Sequence, residues 1–144
     1  MRAALILALA LGLGTAPRLA PQRISMAPGL SYTRETPPNR VRLPLRRVRG
    51  QALDHIGMVV PNVVLGLYSD PAPHKLLARA MTGPGGHFDF GNHIPPGNYR
   101  LIAMYPGACT ANIPLQVNPR AKNKRLRLRM EYPGMGMCSY ALLR

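Results

Sequence analysis

Short apolar runs separated by Gly, Pro, Asn and Asp occupy the chain from Arg46 to Glu131. Each run has the length of a β-strand, and the residues between the runs are those that form turns. The pattern predicts seven strands: Arg46–Leu53, Asn62–Tyr68, Leu76–Met81, His87–Phe90, Asn98–Tyr105, Thr110–Val117 and Leu126–Glu131. We therefore predict an all-β fold, a seven-stranded Greek-key β-sandwich.

The last predicted strand shows the clearest alternation of polar and apolar residues. Successive side chains on a strand point to opposite faces of the sheet. Arg125, Arg127 and Arg129 fall on one face, and Leu126, Leu128 and Met130 fall on the other. The same rule turns Tyr99, Leu101 and Ala103 inward and Arg100 outward. We expect the apolar set to form an aliphatic core and the three arginines of the last strand to face solvent.

The N-terminus carries the pattern of a signal peptide. Arg2 supplies a short positive start, Ala3–Leu13 is an almost unbroken apolar run, and Ala16 and Ala20 are small residues suited to cleavage. The run has about half the length of a membrane-spanning helix. No later segment is long and apolar enough to span a bilayer. We predict that residues 1–20 are removed and that the protein is secreted or periplasmic and not transmembrane; the alternative is a buried N-terminal helix.

Residues 21–45 are rich in proline and arginine and show no sustained periodicity. Proline at such short intervals blocks both a helix and a central strand. We predict a basic, disordered linker over 21–45, the β-sandwich over 46–133 and a C-terminal tail over 134–144.

Arginine dominates the charge of the chain. Of its 19 Lys and Arg residues 16 are Arg, against 5 Asp and Glu, and the formal net charge is +14. Such a charge attracts polyanions without specifying which one. The 14 Gly and 16 Pro residues exclude a long-helix or coiled-coil protein.

Two stretches, Gly85–Phe90 and Ile94–Leu101, resemble the carboxypeptidase regulatory-like domain. The family pattern is a glycine turn, an F-x-F strand, a P-P-G turn and then Y-x-L. The matching positions are Phe88, Phe90, Pro95, Pro96, Gly97, Tyr99 and Leu101. The resemblance covers about Val48 to Met130 and implies a transthyretin-like (prealbumin-like) β-sandwich. It implies no peptidase activity, because the zinc-binding motif of the carboxypeptidase catalytic domain is absent.

Cys109 and Cys138 are the two cysteines of the chain. In an oxidising compartment such a pair usually forms a disulfide. We predict a Cys109–Cys138 disulfide that pins the C-terminal tail to the start of the sixth predicted strand; two free thiols are the alternative.

The residues offer little for catalysis or for a cofactor. His87, Asp89 and His93 are the only local cluster of metal-capable side chains, and their spacing matches no established zinc or iron site. An exposed polar strand face explains them better. The five carboxylates are scattered, without an adjacent pair for acid–base chemistry. We predict a non-enzymatic protein without a cofactor.

The best functional signal is a set of arginines on the first and last predicted strands: Arg47, Arg49, Arg125, Arg127 and Arg129. These two strands can lie close together in such sandwiches, which would merge the arginines into one patch. Guanidinium groups suit phosphate and carboxylate ligands. The alternative is a solvated edge that discourages aggregation. No aromatic residues alternate with these arginines, so we expect no specific nucleic-acid binding.

Three functions remain open. The first is an exported binding or structural module of the cell envelope that contacts anionic glycan or lipid headgroups through the arginines. The second is an accessory or assembly subunit that docks a secreted or envelope protein by a sheet edge and the basic linker. The third is a small metal-dependent enzyme on the same fold.

Overall fold

The computed structural model describes residues 41–134 and 138–144 of the chain. The predicted signal peptide and residues 21–40 of the predicted linker lie outside the described residues. Within those two ranges, no helix is long and apolar enough to cross a bilayer.

The described residues form nine strands in two sheets. In chain order the strands are β1 Leu43–Leu45, β2 Arg49–Asp54, β3 Val64–Ser69, β4 Leu76–Met81, β5 His87–Asp89, β6 Gly97–Met104, β7 Ala111–Val117, β8 Leu126–Met130 and β9 Tyr140–Leu143. The five-stranded sheet has the order β1-β7-β6-β3-β4, and the four-stranded sheet has the order β5-β2-β8-β9. The predicted all-β sandwich is confirmed.

All seven predicted strands are present, but the strand count of seven is wrong because two more strands extend the sheets. β1 lies in the last residues of the predicted linker and pairs in parallel with β7. β9 lies in the predicted tail and pairs antiparallel with β8. Both are edge strands. The edge position tolerates Pro44 within β1, because a proline there removes no bond from the middle of a ladder.

The core lies between the sheets and is largely aliphatic. Its most deeply buried large side chains include Leu65, Leu67, Leu101, Ile113, Leu115, Leu126 and Leu128. In β8 the burial alternates as predicted, with Leu126, Leu128 and Met130 buried and Arg127 and Arg129 half-buried. The predicted register of this strand is therefore confirmed.

The Phe and Pro-Pro-Gly motif joins the two sheets. Phe88 on β5 is buried, and its ring meets that of Phe90 edge-on, with centroids 6.3 Å apart. Tyr99 on β6 is also buried, and its hydroxyl donates to the Pro95 carbonyl oxygen at 2.7 Å. This bond fastens the Pro-Pro-Gly turn to the strand that follows it. Burial raises the pKa of the Tyr99 hydroxyl above 10.0.

β2 and β8 are parallel neighbours in the four-stranded sheet. A Cβ atom at Gly50 would collide with the carbonyl oxygen of Leu126, so glycine is required for this close pairing. The pairing brings the first and last of the predicted strands side by side. It sets Gln51 of β2 opposite Arg127 of β8.

The cysteine prediction needs a correction. Cys109 and Cys138 lie side by side, as predicted, but both are free thiols in this structure. A hydrogen bond between the two thiols, together with burial, raises the pKa of Cys109. The connection that pins the tail here is a set of hydrogen bonds: the Ser139 hydroxyl donates to the Cys109 carbonyl oxygen and accepts from the Glu131 amide at 2.9 Å.

Candidate functional site

The outer face of the four-stranded sheet carries the predicted binding residues. We call them the arginine face: Arg47, Arg49, Arg125, Arg127 and Arg129. Arg49 and Arg127 lie on the paired strands β2 and β8, and Arg125 directly precedes β8. Gln51 lies opposite both Arg127 and His87 of β5, so polar side chains continue across the sheet. The structure thus places on one face the arginines that are far apart in sequence.

Two members of the arginine face have partners within the protein. Arg47 forms a two-pronged ion pair with Asp89, with Nε 3.0 Å from Oδ1 and Nη2 2.7 Å from Oδ2. Arg129 donates from Nη1 to the carbonyl oxygen of Asp54 at 2.8 Å and so holds the loop that follows β2. These two side chains therefore help to maintain the fold, a role that the alternation pattern alone does not reveal.

Arg125 and Arg127 are the members of the arginine face most open to a ligand. Arg125 is exposed and Arg127 is half-buried. Neither forms an ion pair with a carboxylate in the described ranges 41–134 and 138–144. Two side chains of this kind lie about 7 Å apart along a strand, so one ligand with two anionic groups can contact both.

An open cleft of about 620 Å³ lies at the end of the sandwich where β2 begins. We call it the end cleft. Arg46, Arg47 and Arg49 line it from the β2 side, and Asn92 and Asn123 line it from the loops before β6 and β8. Its remaining lining is largely apolar and includes Ile94, Pro96, Val117 and Pro119. The volume lies within the usual range of about 300–1,000 Å³ for small-molecule sites.

Arg49 links the arginine face to the end cleft. Its Nη2 donates to Oδ1 of Asn123 at 2.8 Å, which orients the guanidinium group. Arg49 also lines the end cleft. A guanidinium group held in this way can offer its Nη donors to a phosphate or carboxylate oxygen in the cleft.

The charge around the end cleft is strongly positive. Asp89 neutralises Arg47, which leaves Arg46 and Arg49 to attract an anion. Arg46 is exposed, and Arg49 is half-buried and already oriented. The arrangement suits a phosphate or carboxylate group, with the apolar walls against the body of the ligand.

Sequence reasoning missed Asn92 and Asn123. Both lie in loops that also contain proline, where asparagine is an ordinary turn residue. Only the strand pairing could have identified them: the parallel pairing of β2 with β8 brings the loop of Asn123 to the start of β2, and the antiparallel pairing of β2 with β5 brings the loop of Asn92 there.

The candidate metal ligands do not form a ligand set. Asp89 is bound to Arg47 and also accepts from the Gly91 amide at 2.8 Å. No group of three His, Cys, Asp or Glu side chains within residues 41–134 and 138–144 could hold a metal ion.

Comparisons with known proteins identify the fold. No protein-family model matches the chain, and no curated protein matches it in a sequence comparison. A transthyretin from Sparus aurata matches with a TM-score of 0.50 and 16% identity, over 69% of this chain and 98% of that one. A sea bream transthyretin in complex with thyroxine has a TM-score of 0.49 and 16% identity, over 68% of this chain and 96% of that one. An (S)-allantoin synthase has a TM-score of 0.42 and 13% identity, over 69% of this chain and 45% of that one.

At this level of identity the comparisons establish the fold and nothing finer. The predicted transthyretin-like β-sandwich is confirmed. The narrower assignment to the carboxypeptidase regulatory-like family remains a prediction.

Proposed function

We propose that the protein is an exported, non-enzymatic binding module of the cell envelope. Its arginine face and end cleft bind phosphate or carboxylate groups displayed on an envelope surface. The observation that carries the proposal is Arg49, whose guanidinium group is oriented by Asn123 and lines the end cleft. Lipid headgroups and acidic glycans are the two sources of such groups.

The shape of the site supports binding to anionic groups that are displayed on a surface. The outer face of a sheet is broad, and Arg125 and Arg127 project from it without a carboxylate partner in the described part of the chain. The end cleft adds a bounded site at the margin of this face, beside Arg49. A flat cationic face with a cleft at its margin can hold one group firmly while neighbouring groups contact the sheet.

The location belongs to the same proposal. Its support is the N-terminal sequence, where Arg2, the apolar run Ala3–Leu13 and the small residues after it follow the order of a signal peptide. An exported protein meets the anionic polymers and lipids of the envelope directly.

Binding to two anionic probes tests the proposal. The probes are vesicles that contain phosphatidylglycerol and soluble polygalacturonate. The wild-type protein should bind at least one of them, with an affinity that falls as salt is raised. Arg46→Gln/Arg49→Gln should weaken this binding about tenfold or more, since a hydrogen bond to a charged group contributes roughly 1.5–3 kcal/mol.

The matched control is Lys75→Gln/Arg79→Gln, which removes the same charge from the other sheet and should change binding by less than about threefold. Arg49→Lys is a second variant that keeps the charge but lacks the planar guanidinium fork, and it should bind more weakly than the wild type. Thermal unfolding verifies that each variant is folded. Equal weakening by the control, or no weakening by either cleft variant, overturns the proposal and favours docking of a protein partner instead.

A further inference from the structure

The loop after β2 presents apolar side chains to water. Ile56 is 73% exposed, Met58 is 62% exposed and Val59 is 42% exposed. We call these three residues the apolar tip. Scattered apolar residues are normal on a protein surface, but three of them within one short loop indicate an interaction site.

Hydrogen bonds hold the apolar tip in one conformation. The Asp54 carboxylate oxygen Oδ1 accepts from the amides of Ile56 at 3.0 Å and Met58 at 2.8 Å. The Asp54 amide donates to the Met58 carbonyl oxygen at 2.8 Å, and Gly57 turns the chain with a φ of 94°. The loop is therefore a short, closed hairpin that keeps its apolar side chains outside the core.

The apolar tip stands at the end of the arginine face opposite the end cleft. Arg49 lies at the start of β2, and Asp54, at its last residue, accepts a hydrogen bond from Arg129. The ring of His55 packs edge-on against that of Tyr132, with centroids 5.8 Å apart. Through Arg129, the arginine face thus reaches the loop that carries the apolar tip, and this loop and the face form one side of the domain.

We propose that the side of the domain with the arginine face and the apolar tip binds to an anionic lipid bilayer. The apolar tip enters the boundary between headgroups and acyl chains, while Arg125 and Arg127 face the lipid phosphates. The inference rests on the proposed function and selects the lipid source of the anionic groups. A soluble glycan offers no apolar phase to receive Ile56 and Met58, whereas a bilayer interface offers both an apolar phase and negative charge.

The two contributions reinforce each other. A small apolar contact alone gives weak membrane binding, and so do a few basic residues alone. Each Lys or Arg near an anionic surface adds about 1 kcal/mol, or roughly fivefold in binding. We therefore expect the two cations and the apolar tip together to give reversible peripheral binding.

A fluorescence experiment tests the insertion directly. The chain contains no tryptophan, so Met58→Trp places a single reporter at the apolar tip. Its emission should shift to the blue on addition of phosphatidylglycerol vesicles and should not shift with polygalacturonate. A reporter that stays in water with the vesicles overturns the inference.

Binding measurements separate this inference from the proposed function. Ile56→Ser/Met58→Ser should lower partitioning into phosphatidylglycerol vesicles about tenfold or more, because it removes several buried CH₂ and CH₃ equivalents. The matched control Val64→Ser/Leu77→Ser changes two exposed apolar side chains on the five-stranded sheet and should leave partitioning unchanged. If the tip variant partitions like the wild type while Arg46→Gln/Arg49→Gln loses binding, the inference fails and the proposed function stands. If neither variant loses binding, both fail.

Discussion

The outer faces of the two sheets differ in burial although the same alternation rule describes both. On the five-stranded sheet, Arg100, Ile102 and Asn112 point away from the core yet are only 8%, 3% and 1% exposed. On the four-stranded sheet, the corresponding outward residues, such as Arg125 and Arg127, are exposed or half-buried. Alternation therefore shows which way a side chain points, but burial depends on what else the chain brings to that face.

The ion pairs of the two sheets differ in the same way. Directly after β3 of the five-stranded sheet, the Asp70 carboxylate is 6% exposed and lies 2.6 Å from Arg42 and 3.5 Å from Arg100. In the four-stranded sheet, the Asp89 carboxylate is 40% exposed and pairs with Arg47 at 2.7 Å. The Asp70 carboxylate is therefore poorly accessible to water, whereas the Asp89 carboxylate stays largely solvated. The energetic cost of losing each pair should differ accordingly.

The largest effect is expected when the two free thiols are oxidised, because a disulfide between them would link the two sheets. Cys109 precedes β7 of the five-stranded sheet, and Cys138 precedes β9 of the four-stranded sheet. Oxidation of this thiol pair would close a loop of about 29 residues and raise the free energy of unfolding by about 3–4 kcal/mol in the chain-entropy model. Peptide mass spectrometry without reductant detects the disulfide. The midpoints of denaturant unfolding with and without reductant measure the change in stability. Cys138→Ser is the control, and two thiols that remain alkylatable after oxidation contradict the prediction.

The second prediction compares the inner and outer positions of one strand. Leu128→Ala should lower the free energy of unfolding by about 2–4 kcal/mol, because Leu128 is fully buried and its loss leaves a cavity. Arg127→Gln, one residue away on the arginine face, should change it by less than about 0.5 kcal/mol. Denaturant unfolding of both variants decides the matter. The reverse order of effects would mean that the register of β8 is wrong by one residue.

The third prediction uses the two ion pairs. Asp70→Asn should destabilise the protein by about 2 kcal/mol or more, because it leaves the buried Arg100 guanidinium without its carboxylate. The loss of the contact with Arg42 adds little to this cost, because the Arg42 side chain is partly exposed and can be solvated instead. Asp89→Asn should cost less than about 1 kcal/mol, as exposed pairs do. Equal costs in chemical denaturation would show that the two faces are solvated alike.

The smallest effect concerns Tyr99, which faces the core from the five-stranded sheet. Burial raises its pKa above 10.0, so the folded protein holds the phenolic proton more tightly than the unfolded chain. The corresponding stability is fully present below pH 10 and is lost as the pH rises through the higher folded-state pKa. Tyr99→Phe should be about 1 kcal/mol less stable at pH 7, since it loses the bond to Pro95, and should show a weaker decline above pH 10. Identical alkaline declines in the two proteins would contradict this.

Particular residues show how far sequence reasoning reached. The bounds of β4 agree with the prediction, and the burial of Phe88, Tyr99 and Leu101 follows from their place in the F-x-F, P-P-G and Y-x-L pattern. β1 was missed because it has only three residues with a proline in the middle, and because it is a strand only through its pairing with β7, more than 60 residues away in sequence. β9 was missed because its four residues carry no alternation strong enough to identify a strand.

The candidate site divides in a similar way. The sequence identified the arginine residues and the face to which they point, because composition and the two-residue period of a strand are local properties. It could not show that Arg47 and Arg129 are bound to Asp89 and Asp54, or that Arg46, Arg49 and Asn123 line one cleft. These relations require the parallel pairing of β2 with β8 and the approach of two distant loops. The sequence by itself thus determined seven of the nine strands of the described residues, their inner and outer faces and the positive charge. Tertiary structure alone decided which charges are free to bind, because burial and hydrogen bonding depend on residues far apart in the chain.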